Sequence, residues 1–308
     1  MSLPNFLLTG REGQLGLAFC EHWASQRLDK KFNLVAVGRR ELDITNPVEV
    51  EKFLTQFRPS MILNTAAYTN VDDAESNEFS AYDVNSRAVR YLATWCESNS
   101  CHLIHLSTDF VFDGLASSPY SVDADPNPLG VYGLSKLDGE REVLGRPELR
   151  GTVIRTSWLY SERGHNFVRT ILRLMSESDD IRVVNDQLGS PTSVHSLCAF
   201  ISTLILDGGN PGLYHFTDGG EISWYDFAVT IRQEGMNIGL LPVSPSVNPV
   251  KTKDYITAAK RPSYSVLSIE SAAPYYQGCA PDWRRELRKV LIRIHQRTKF
   301  LEGQRDEK

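Results

Sequence analysis

A tyrosine and a lysine are one helical turn apart in the segment Val131-Tyr132-Gly133-Leu134-Ser135-Lys136. If this segment is helical, the spacing places Tyr132 and Lys136 on one face. A free tyrosine has a pKa of about 10, and a neighbouring ammonium stabilises the phenolate and lowers that pKa. Such a pair can donate a proton to a carbonyl oxygen and later recover it. Because Tyr-x-x-x-Lys also occurs in many surface helices, its significance depends on its surroundings.

A hydroxyl and a carboxylate, Thr108 and Asp109, follow the apolar run His102–Ser107, which we interpret as the fourth strand. In parallel sheets, ligands bind beyond the carboxyl ends of the strands. We therefore expect Thr108 to hydrogen-bond a substrate oxygen and Asp109 to orient a substrate hydroxyl or assist proton delivery. The structural alternative is that both side chains only cap a turn.

Three glycines, Gly10, Gly13 and Gly16, follow the first apolar run and open a helical pattern. Glycine allows a tight turn, a close approach of backbone to a pyrophosphate, and close packing of helix on sheet. The helix N-terminus adds N–H donors and the positive end of a dipole. The pattern predicts a dinucleotide site, although a plain strand-to-helix connection would also fit it.

The end of the second strand distinguishes between the two nicotinamide cofactors. NAD sites usually have an acidic residue there to bind the ribose 2'-hydroxyl, whereas this chain has Arg39 and Arg40. Two guanidinium groups suit a 2'-phosphate, so NADPH is expected and NADH remains possible. Either arginine can instead be a solvated surface charge. Asp43 and Ile44 follow and can border the adenine.

The periodicity alternates strands with helices through the first half of the chain. Strands are predicted at Asn5–Thr9, Leu34–Val37, Met61–Asn64, His102–Ser107 and Thr152–Thr156, and helices at Gln14–Ala24, Pro47–Phe57, Phe79–Glu97 and Gly130–Leu144. This alternation predicts a doubly wound parallel α/β sheet of the Rossmann type.

The second half of the chain predicts a smaller α/β substrate-binding lobe. We expect a dinucleotide-binding domain at 1–156, a substrate lobe at 157–301 with part of the chain returning to the first domain, and a frayed tail at 302–308. The Pro-, Asp- and Ser-rich segment 114–128 is expected to be a loop near the site. A proline-spaced connector is expected at 242–250.

Composition excludes several classes of function. The net charge of −5 gives no general attraction to nucleic acid or to an anionic membrane. The longest apolar stretch, 197–206, is too short to span a bilayer, and no leader is recognised, so a cytoplasmic location is expected. The cysteines have no metal-ligand spacing and are interpreted as reduced packing residues. These are Cys20, Cys96, Cys101, Cys198 and Cys279.

Motifs in order along nearly the whole chain resemble the dTDP-4-dehydrorhamnose reductase family of extended short-chain dehydrogenases/reductases. They begin with Leu8-Thr9-Gly10, Gly13-Gln14-Leu15-Gly16, Leu42-Asp43-Ile44-Thr45, Asn64-Thr65-Ala66-Ala67-Tyr68-Thr69-Asn70-Val71-Asp72 and Ser107-Thr108-Asp109-Phe110-Val111-Phe112-Asp113-Gly114. They continue with the Tyr132 segment, Arg155-Thr156-Ser157-Trp158, Asn185-Asp186-Gln187-Leu188-Gly189-Ser190-Pro191-Thr192, Gly212-Leu213-Tyr214-His215, Arg261-Pro262 and Pro281-Asp282-Trp283.

The resemblance implies a role for each matching residue. Gly13, Gln14 and Leu15 would contact the cofactor pyrophosphate, Asp43 and Ile44 the adenine, and Ala67, Tyr68 and Thr69 the inner face of the cofactor. Thr108, Tyr132 and Lys136 would be catalytic, and Asp109 would touch the substrate. Tyr132 and Lys136 would also contact the cofactor, with Lys136 holding the nicotinamide ribose. Substrate contacts are also implied for Val71, Phe110, Trp158 and Arg261, although Trp158 alone would equally fit a core position.

Two departures from the family pattern matter. Phe110 stands where the family commonly has tyrosine after Thr-Asp, which removes one polar substrate contact. Some members join two subunits through magnesium held by glutamates, at positions that correspond to Ala18 and His195 here. Neither residue is a good ligand for a hard cation, so no metal site is expected. The chain is expected to be a monomer or a weak homodimer without bridging magnesium.

The resemblance implies NADPH-dependent reduction of the C4 keto group of a dTDP-linked 6-deoxysugar, with Tyr132 as the proton donor. Two alternatives stay open. One is a non-catalytic regulatory subunit resembling that of methionine adenosyltransferase, against which the intact Thr108, Tyr132 and Lys136 count. The other is a nucleotide-sugar epimerase or dehydratase that retains NAD, against which Arg39 and Arg40 count.

Overall fold

The computed structural model describes residues 3–241, 245–276 and 280–306. Twelve strands lie within these ranges: β1 (Asn5–Thr9), β2 (Asn33–Val37), β3 (Met61–Asn64), β4 (His102–Thr108), β5 (Gly151–Thr156), β6 (Leu159–Tyr160), β7 (Asp180–Val184), β8 (Leu188–Gly189), β9 (Thr192–Ser193), β10 (Gly212–His215), β11 (Ile222–Ser223) and β12 (Ser246–Val250).

Ten α-helices lie in the same ranges: α1 (Gln14–Ser25), α2 (Pro47–Phe57), α3 (Val71–Ala74), α4 (Glu78–Tyr82), α5 (Ala88–Ser98), α6 (Val131–Leu144), α7 (Phe167–Glu177), α8 (Val194–Leu206), α9 (Trp224–Asn237) and α10 (Trp283–Asp306). Short 3₁₀ helices occur at Leu28–Lys30, Asp109–Val111, Thr252–Asp254 and Glu270–Tyr275, and one π-helical turn at Asp83–Arg87 joins α4 to α5.

The main sheet has six parallel strands in the order β10-β5-β4-β3-β1-β2. Each strand is apolar enough to be covered on both faces, as a parallel sheet requires. The strand order reverses between β1 and β3, which creates the crevice where ligands bind in such sheets. The predicted doubly wound Rossmann-type sheet is therefore confirmed.

Side-chain alternation along the strands divides the core of the main sheet into two layers. Phe6, Leu8, Leu63 and Ile104 face one side, where α1 and α8 cover them. The opposite residues, such as Leu7, Ile62 and Leu103, pack on the side covered by α2 and α5. Both α8 and β10 follow residue 156 in the chain but belong to this first core.

The second lobe is a smaller layer of helices and short strands around its own apolar cluster. β7 pairs in parallel with β12, and α7 and α9 pack beside them. Val168, Phe227, Ile231 and Leu291 are buried in this cluster, so α10 also helps to close it. The short parallel pair β6 and β9 links the lobe to the end of β5.

The structure modifies three local expectations. The predicted helix at 79–97 is interrupted by the π-helical turn. The expected loop at 114–128 is anchored on segment 262–268 by a bridge between Tyr120 and Leu267. Residues 242–244 of the expected connector lie outside the described residues, as does Cys279. Residues 246–250 of the connector form β12.

Helix α10 continues to Asp306, so residues 302–306 of the tail expected to be frayed belong to this helix. The last part of α10 is rich in Glu, Gln, Arg and Lys, which have good helix propensity. Residues 307 and 308 lie outside the described residues.

Helix α6 is held against the sheet by a buried ion pair. The Arg155 guanidinium on β5 donates two bonds to Glu140, from Nε over 2.8 Å and from Nη2 over 2.6 Å. Both side chains are about 97% buried, and Glu140 also accepts a bond from the Ser107 hydroxyl on β4. Gly139 permits this packing, since a Cβ there would lie 2.1 Å from the Asn85 carbonyl oxygen. The pair therefore fixes α6 to both β4 and β5.

Replacing Glu140 with Gln should destabilise the protein by about 3 kcal/mol, because it leaves the buried Arg155 charge without a counter-ion. The exposed pair of Asp138 and Arg141 on the same helix offers a matched control. Asp138→Asn should cost about 0.5 kcal/mol or less. Urea unfolding followed by circular dichroism measures both free energies, and equal losses in the two variants would contradict the role given to Glu140.

Candidate active site

A cavity of about 300 Å³ lies beyond the carboxyl ends of β1, β2 and β3, at the reversal of strand order. We call it the dinucleotide cavity. It is lined by Thr9, Gly10, Glu12, Gly13, Gly38, Arg39, Leu42, Asp43, Ile44, Thr45, Thr65, Ala66, Ala67, Tyr68 and Val84. Most of the residues that the sequence assigned to a dinucleotide are therefore brought together here.

The glycine turn forms one end of the dinucleotide cavity. Gly10 has a φ of +71°, and a Cβ there would lie 2.6 Å from the backbone nitrogen of Ala66. Gly13 is the N-cap of α1, so the free N–H groups of the first helical turn face the cavity entrance. Gly16 does not line the cavity. It allows α1 to pack closely on the glycine turn, since a Cβ at this position would lie 2.3 Å from the Gly10 carbonyl oxygen.

The side chains of Gln14 and Leu15 are directed away from the dinucleotide cavity. Gln14 donates to the carbonyl of His165 and accepts bonds from Ser161 and Asn166, all in the loop after β6. Leu15 is buried in the core beneath α1. Only the backbone of these two residues is thus placed for a pyrophosphate contact, and the Gln14 side chain instead ties the two lobes together.

Charges of both signs surround the end of β2. Arg39 lines the dinucleotide cavity, is largely exposed and lies 3.4 Å from Asp43, whereas Arg40 is exposed and outside the lining within the described ranges. Glu41 accepts the Gly38 N–H and pairs with Arg11. Glu12 lies against Gly38 as well. The sequence reasoning missed both glutamates: Glu41 follows the end of β2 in the chain, whereas Glu12 reaches Gly38 from the turn after β1.

The inner wall of the dinucleotide cavity is fixed by a buried asparagine. Asn85, in the π-helical turn, accepts the Tyr68 N–H and donates to the Tyr68 carbonyl. Its amide also donates to the Ser135 hydroxyl on α6 over 3.0 Å. Ala67 and Tyr68 line the wall, whereas Thr69 is exposed beyond it. Asn85 thus couples the cavity wall to the helix that carries Tyr132, and π-helical turns often occur at functional sites.

Tyr132 lies in the first turn of α6, above the end of β4. Its ring meets that of Phe110 edge to face, with 5.6 Å between centroids. Burial raises the pKa of Tyr132 to about 12, although a hydrogen bond with Thr108 lowers it and the Asp109 charge raises it further. The pKa of Tyr132 thus lies above its ordinary value, and Lys136 is not among the groups that shift it, so the lowering expected from Lys136 is not seen.

Lys136 is buried one turn further along α6. Its Nζ donates to the Leu106 carbonyl oxygen over 2.5 Å and lies 3.2 Å from Nε2 of His105, both on β4. Burial lowers the pKa of Lys136 to about 8, while the charge of Glu140 raises it. The i, i+4 placement with Tyr132 predicted from the sequence is confirmed.

Thr108 and Asp109 meet at the end of β4, as the sequence predicted. The Thr108 hydroxyl donates to Asp109 over 3.0 Å and accepts the Phe110 N–H, so it also caps the 3₁₀ turn. Burial raises the pKa of Asp109 to about 6, although the Ser265 and Thr108 hydroxyls lower it. The capping and site roles of these side chains are therefore compatible, and a protonated Asp109 can donate a proton near neutral pH.

A second cavity, of about 470 Å³, lies between the lobes. We call it the inter-lobe cavity. Arg261 lines it and forms a two-bond ion pair with Asp72 on α3, the shorter bond being 2.6 Å. Val71, Phe110 and Tyr132 line a separate, narrow cleft. Of the residues implied as substrate contacts, Arg261 therefore lies at the cavity, and Val71 and Phe110 lie at the cleft.

Trp158 follows β5 with a φ of +47°, which is unusual for a side chain of this size. Its ring stacks on Trp224 at a centroid distance of 3.4 Å and an angle of 8°. A Cβ at Gly189 would collide with the other side of the ring. Trp158 is thus clamped within the second lobe, while Trp224 and not Trp158 lines the inter-lobe cavity.

The two positions considered for magnesium hold other interactions. Ala18 belongs to α1 and lies on the buried face of that helix. His195, in the first turn of α8, pairs with Glu162 over 2.8 Å, and Arg293 on α10 lies 3.8 Å from the same carboxylate. Within the described ranges, no three His, Cys, Asp or Glu side chains are grouped to hold a metal, and no helix is long and apolar enough to cross a membrane.

Comparison with known proteins places this geometry in a family. The family model described as RmlD substrate binding domain matches residues 4–296. A dTDP-4-dehydrorhamnose reductase from Aggregatibacter actinomycetemcomitans is 39% identical, with 94% of this chain and 98% of the relative covered. A dTDP-4-keto-6-deoxy-D-glucose reductase from Streptomyces niveus is 38% identical, with 86% and 89% covered.

Solved structures agree. The dTDP-4-dehydrorhamnose reductase of Bacillus anthracis, determined in complex with NADP, superposes with a TM-score of 0.86 at 33% identity, over 95% of this chain and 100% of that one. The ortholog from Clostridium acetobutylicum gives the same TM-score at 34% identity, over 94% and 99%. From the motifs, the sheet and these matches, the chain belongs to the dTDP-4-dehydrorhamnose reductase family of extended short-chain dehydrogenases/reductases.

Proposed function

We propose that this protein reduces the C4 keto group of a dTDP-linked 6-deoxysugar with NADPH, converting dTDP-4-dehydrorhamnose to dTDP-L-rhamnose. The convergence of Tyr132, Thr108 and Lys136 at the end of β4, with the Tyr132 phenol hydrogen-bonded to Thr108 and lining the narrow cleft, carries this proposal. Relatives with this name cover nearly the whole chain, and one of them was crystallised with NADP. NADPH, when bound, supplies the hydride.

The dinucleotide cavity fits such a cofactor. The Gly10 turn leaves room for a pyrophosphate beside the N-terminus of α1, and Asp43 and Ile44 border the adenine end. Arg39 is the one of the two predicted arginines that lines the cavity, so it is the better candidate for a 2'-phosphate. Glu12 and Glu41 lie beside Gly38 and are acceptors of the kind that a ribose 2'-hydroxyl requires, which supports NADH as a second possible cofactor.

Tyr132 acts as the proton donor. With a pKa of about 12, its hydroxyl is fully protonated at neutral pH and can give its proton to the C4 oxygen as negative charge develops there. Thr108 orients that oxygen, and Asp109, with a pKa of about 6, holds a neighbouring sugar hydroxyl. The Lys136 ammonium stabilises the phenolate that remains on Tyr132.

Tyr132→Phe should abolish turnover, lowering kcat by about 10³-fold or more, with little change in NADPH affinity, because only the acidic proton is lost. The decrease in absorbance at the NADPH band measures turnover, and the quenching of protein fluorescence measures NADPH binding. Tyr120→Phe is a matched control, since Tyr120 is packed on Phe112 outside both cavities. Near-normal turnover in Tyr132→Phe would refute the assignment.

Arg39→Ser should raise KM for NADPH about tenfold and leave KM for NADH nearly unchanged, because one charge-assisted contact to a 2'-phosphate is worth about 1.4 kcal/mol. Arg40→Ser is the neighbouring control and should change neither value. If Arg40→Ser produces the larger effect, the assignment of the 2'-phosphate to Arg39 is wrong.

The exact sugar is tested with a panel of dTDP- and other nucleotide-linked 4-keto sugars, assayed for NADPH oxidation. Phe110 in place of the family's tyrosine makes the wider panel informative, since relatives named for other 4-keto sugars are equally similar. Turnover of dTDP-4-dehydrorhamnose with the highest kcat/KM supports the proposal. Tightly retained NAD would favour an epimerase or dehydratase, and inactivity on every sugar with co-purification of a synthetase would favour a regulatory subunit.

The protein should be a monomer or a weak homodimer whose mass does not depend on magnesium, because Ala18 is buried and the His195 ring is engaged by Glu162. Sedimentation velocity in 5 mM MgCl₂ and in excess EDTA, at concentrations of about 1 to 100 μM, tests this expectation. Dissociation of a tight dimer on adding EDTA would contradict it.

A further inference from the structure

A row of buried polar side chains crosses the main sheet behind Lys136. Thr9, Asn64 and His105 are register neighbours on β1, β3 and β4. The Thr9 hydroxyl donates to Asn64 over 2.6 Å, the Asn64 amide lies 3.1 Å from Nδ1 of His105, and Nε2 of His105 lies 3.2 Å from Nζ of Lys136. At 1% exposure or less, the three sheet residues are closed to solvent. Thr9 also lines the dinucleotide cavity.

This row can satisfy Lys136 in either protonation state. With the Asn64 NH₂ donating to Nδ1, the ring carries its proton on Nε2 and donates to a neutral amine. If the Asn64 amide is rotated by 180°, its oxygen accepts from Nδ1–H, and Nε2 accepts from the Lys136 ammonium. Both ring nitrogens of His105 therefore keep a hydrogen-bond partner whether Lys136 is an amine or an ammonium. This lowers the free energy of the folded protein relative to one with an unsatisfied buried polar group.

The charged and titratable groups around this contact are few. Lys136 is faced by His105 from β4, and by Tyr132 and Glu140 from its own helix; Glu140 is already paired with Arg155. Burial and the adjacent ammonium hold the pKa of His105 well below its usual value. A neutral imidazole is therefore the group that meets the amine.

We propose that His105 is a positioning residue: its ring, oriented by Asn64 and Thr9, fixes Nζ of Lys136 on the face of α6 that carries Tyr132 and governs how firmly that amine holds its proton. The inference rests on the proposed reductase function for its kinetic consequence. It assigns a task to three residues that do not touch the substrate.

Variants with opposite expected effects test the proposal. His105→Leu removes the acceptor for the ammonium, so the alkaline limb of the kcat–pH profile should move to lower pH by about one unit. Asn64→Asp can only accept from Nδ1–H, which fixes Nε2 as an acceptor, so the limb should move to higher pH. His105→Gln, which keeps a side-chain acceptor, should recover part of the shift.

His102→Leu is the matched control. His102 is also buried on β4, but it bonds to Thr152 and, three residues away, lies on the opposite face of the strand. It should leave the limb unchanged. Equal shifts in His102→Leu and His105→Leu, or shifts of His105→Leu and Asn64→Asp in the same direction, would overturn the proposal.

A second measurement separates this inference from the proposed function. Because Lys136 is 2% exposed, its proton affinity is measured without a labelling reagent. The NMR signals of its Cε and Nζ nuclei, followed across pH in folded protein that carries isotope-labelled lysine and assigned with Lys136→Arg, report that affinity without turnover. The same opposite shifts are expected. If they appear while the wild-type protein oxidises no NADPH with any 4-keto sugar, the reductase proposal fails and the positioning role stands. If no shift appears in an active enzyme, the positioning role fails alone.

Discussion

The placement of α6 against β4 and β5 is the constraint on which the rest of the site depends. Glu140 and Arg155 bond through two contacts in the interior, and Ser107 adds a third. One turn before Glu140, Lys136 enters the same interior, and one turn earlier still Tyr132 emerges over the end of β4. The direction and height of α6 thus decide where the Tyr132 phenol and the Lys136 amine lie relative to the Thr108 hydroxyl.

Burial is what gives this opening its chemistry. It holds Tyr132 in the protonated form, brings Lys136 towards neutrality at a pKa of about 8 and raises the pKa of Asp109 to about 6. The pKa values of Lys136 and Asp109 are therefore drawn towards neutral pH, whereas that of Tyr132 moves away from it and the side chain stays a phenol. Each depends on the dry interface between α6 and the sheet.

The sequence predicted the main sheet well because its strands are short apolar runs with clear glycine and proline boundaries. Tyr132 with Lys136, the Gly10 turn and Thr108 with Asp109 were also predictable, since each lies at a definite place in a repeating unit. The contact between His105 and Lys136 was not predictable, because it depends on the register of β4 in the sheet and on the height of α6 above it. The signal available was a polar residue ending or interrupting an apolar strand, as Thr9, Asn64 and His105 do.

The sequence also did not predict which charged side chains would pair or face the cavity. Arg39 and Arg40 are adjacent in the chain, yet only Arg39 faces the dinucleotide cavity, and Glu12 approaches Gly38 from a different turn. The side chain of Gln14 belongs to a glycine motif but bonds to the second lobe. In each case the direction of a side chain, which a one-dimensional pattern does not record, determines its role.

The position of β10 has a consequence for how the chain is made. This edge strand of the main sheet pairs with β5, and the paired residues Thr152 and Gly212 are 60 positions apart in the chain. During synthesis, the outer edge of β5 stays unpaired until His215 has left the ribosome, by which time α7, β7 and α8 are already outside. The main sheet is therefore completed only after part of the second lobe has emerged, and an unpaired, apolar strand edge is the form in which an incomplete chain is most open to aggregation.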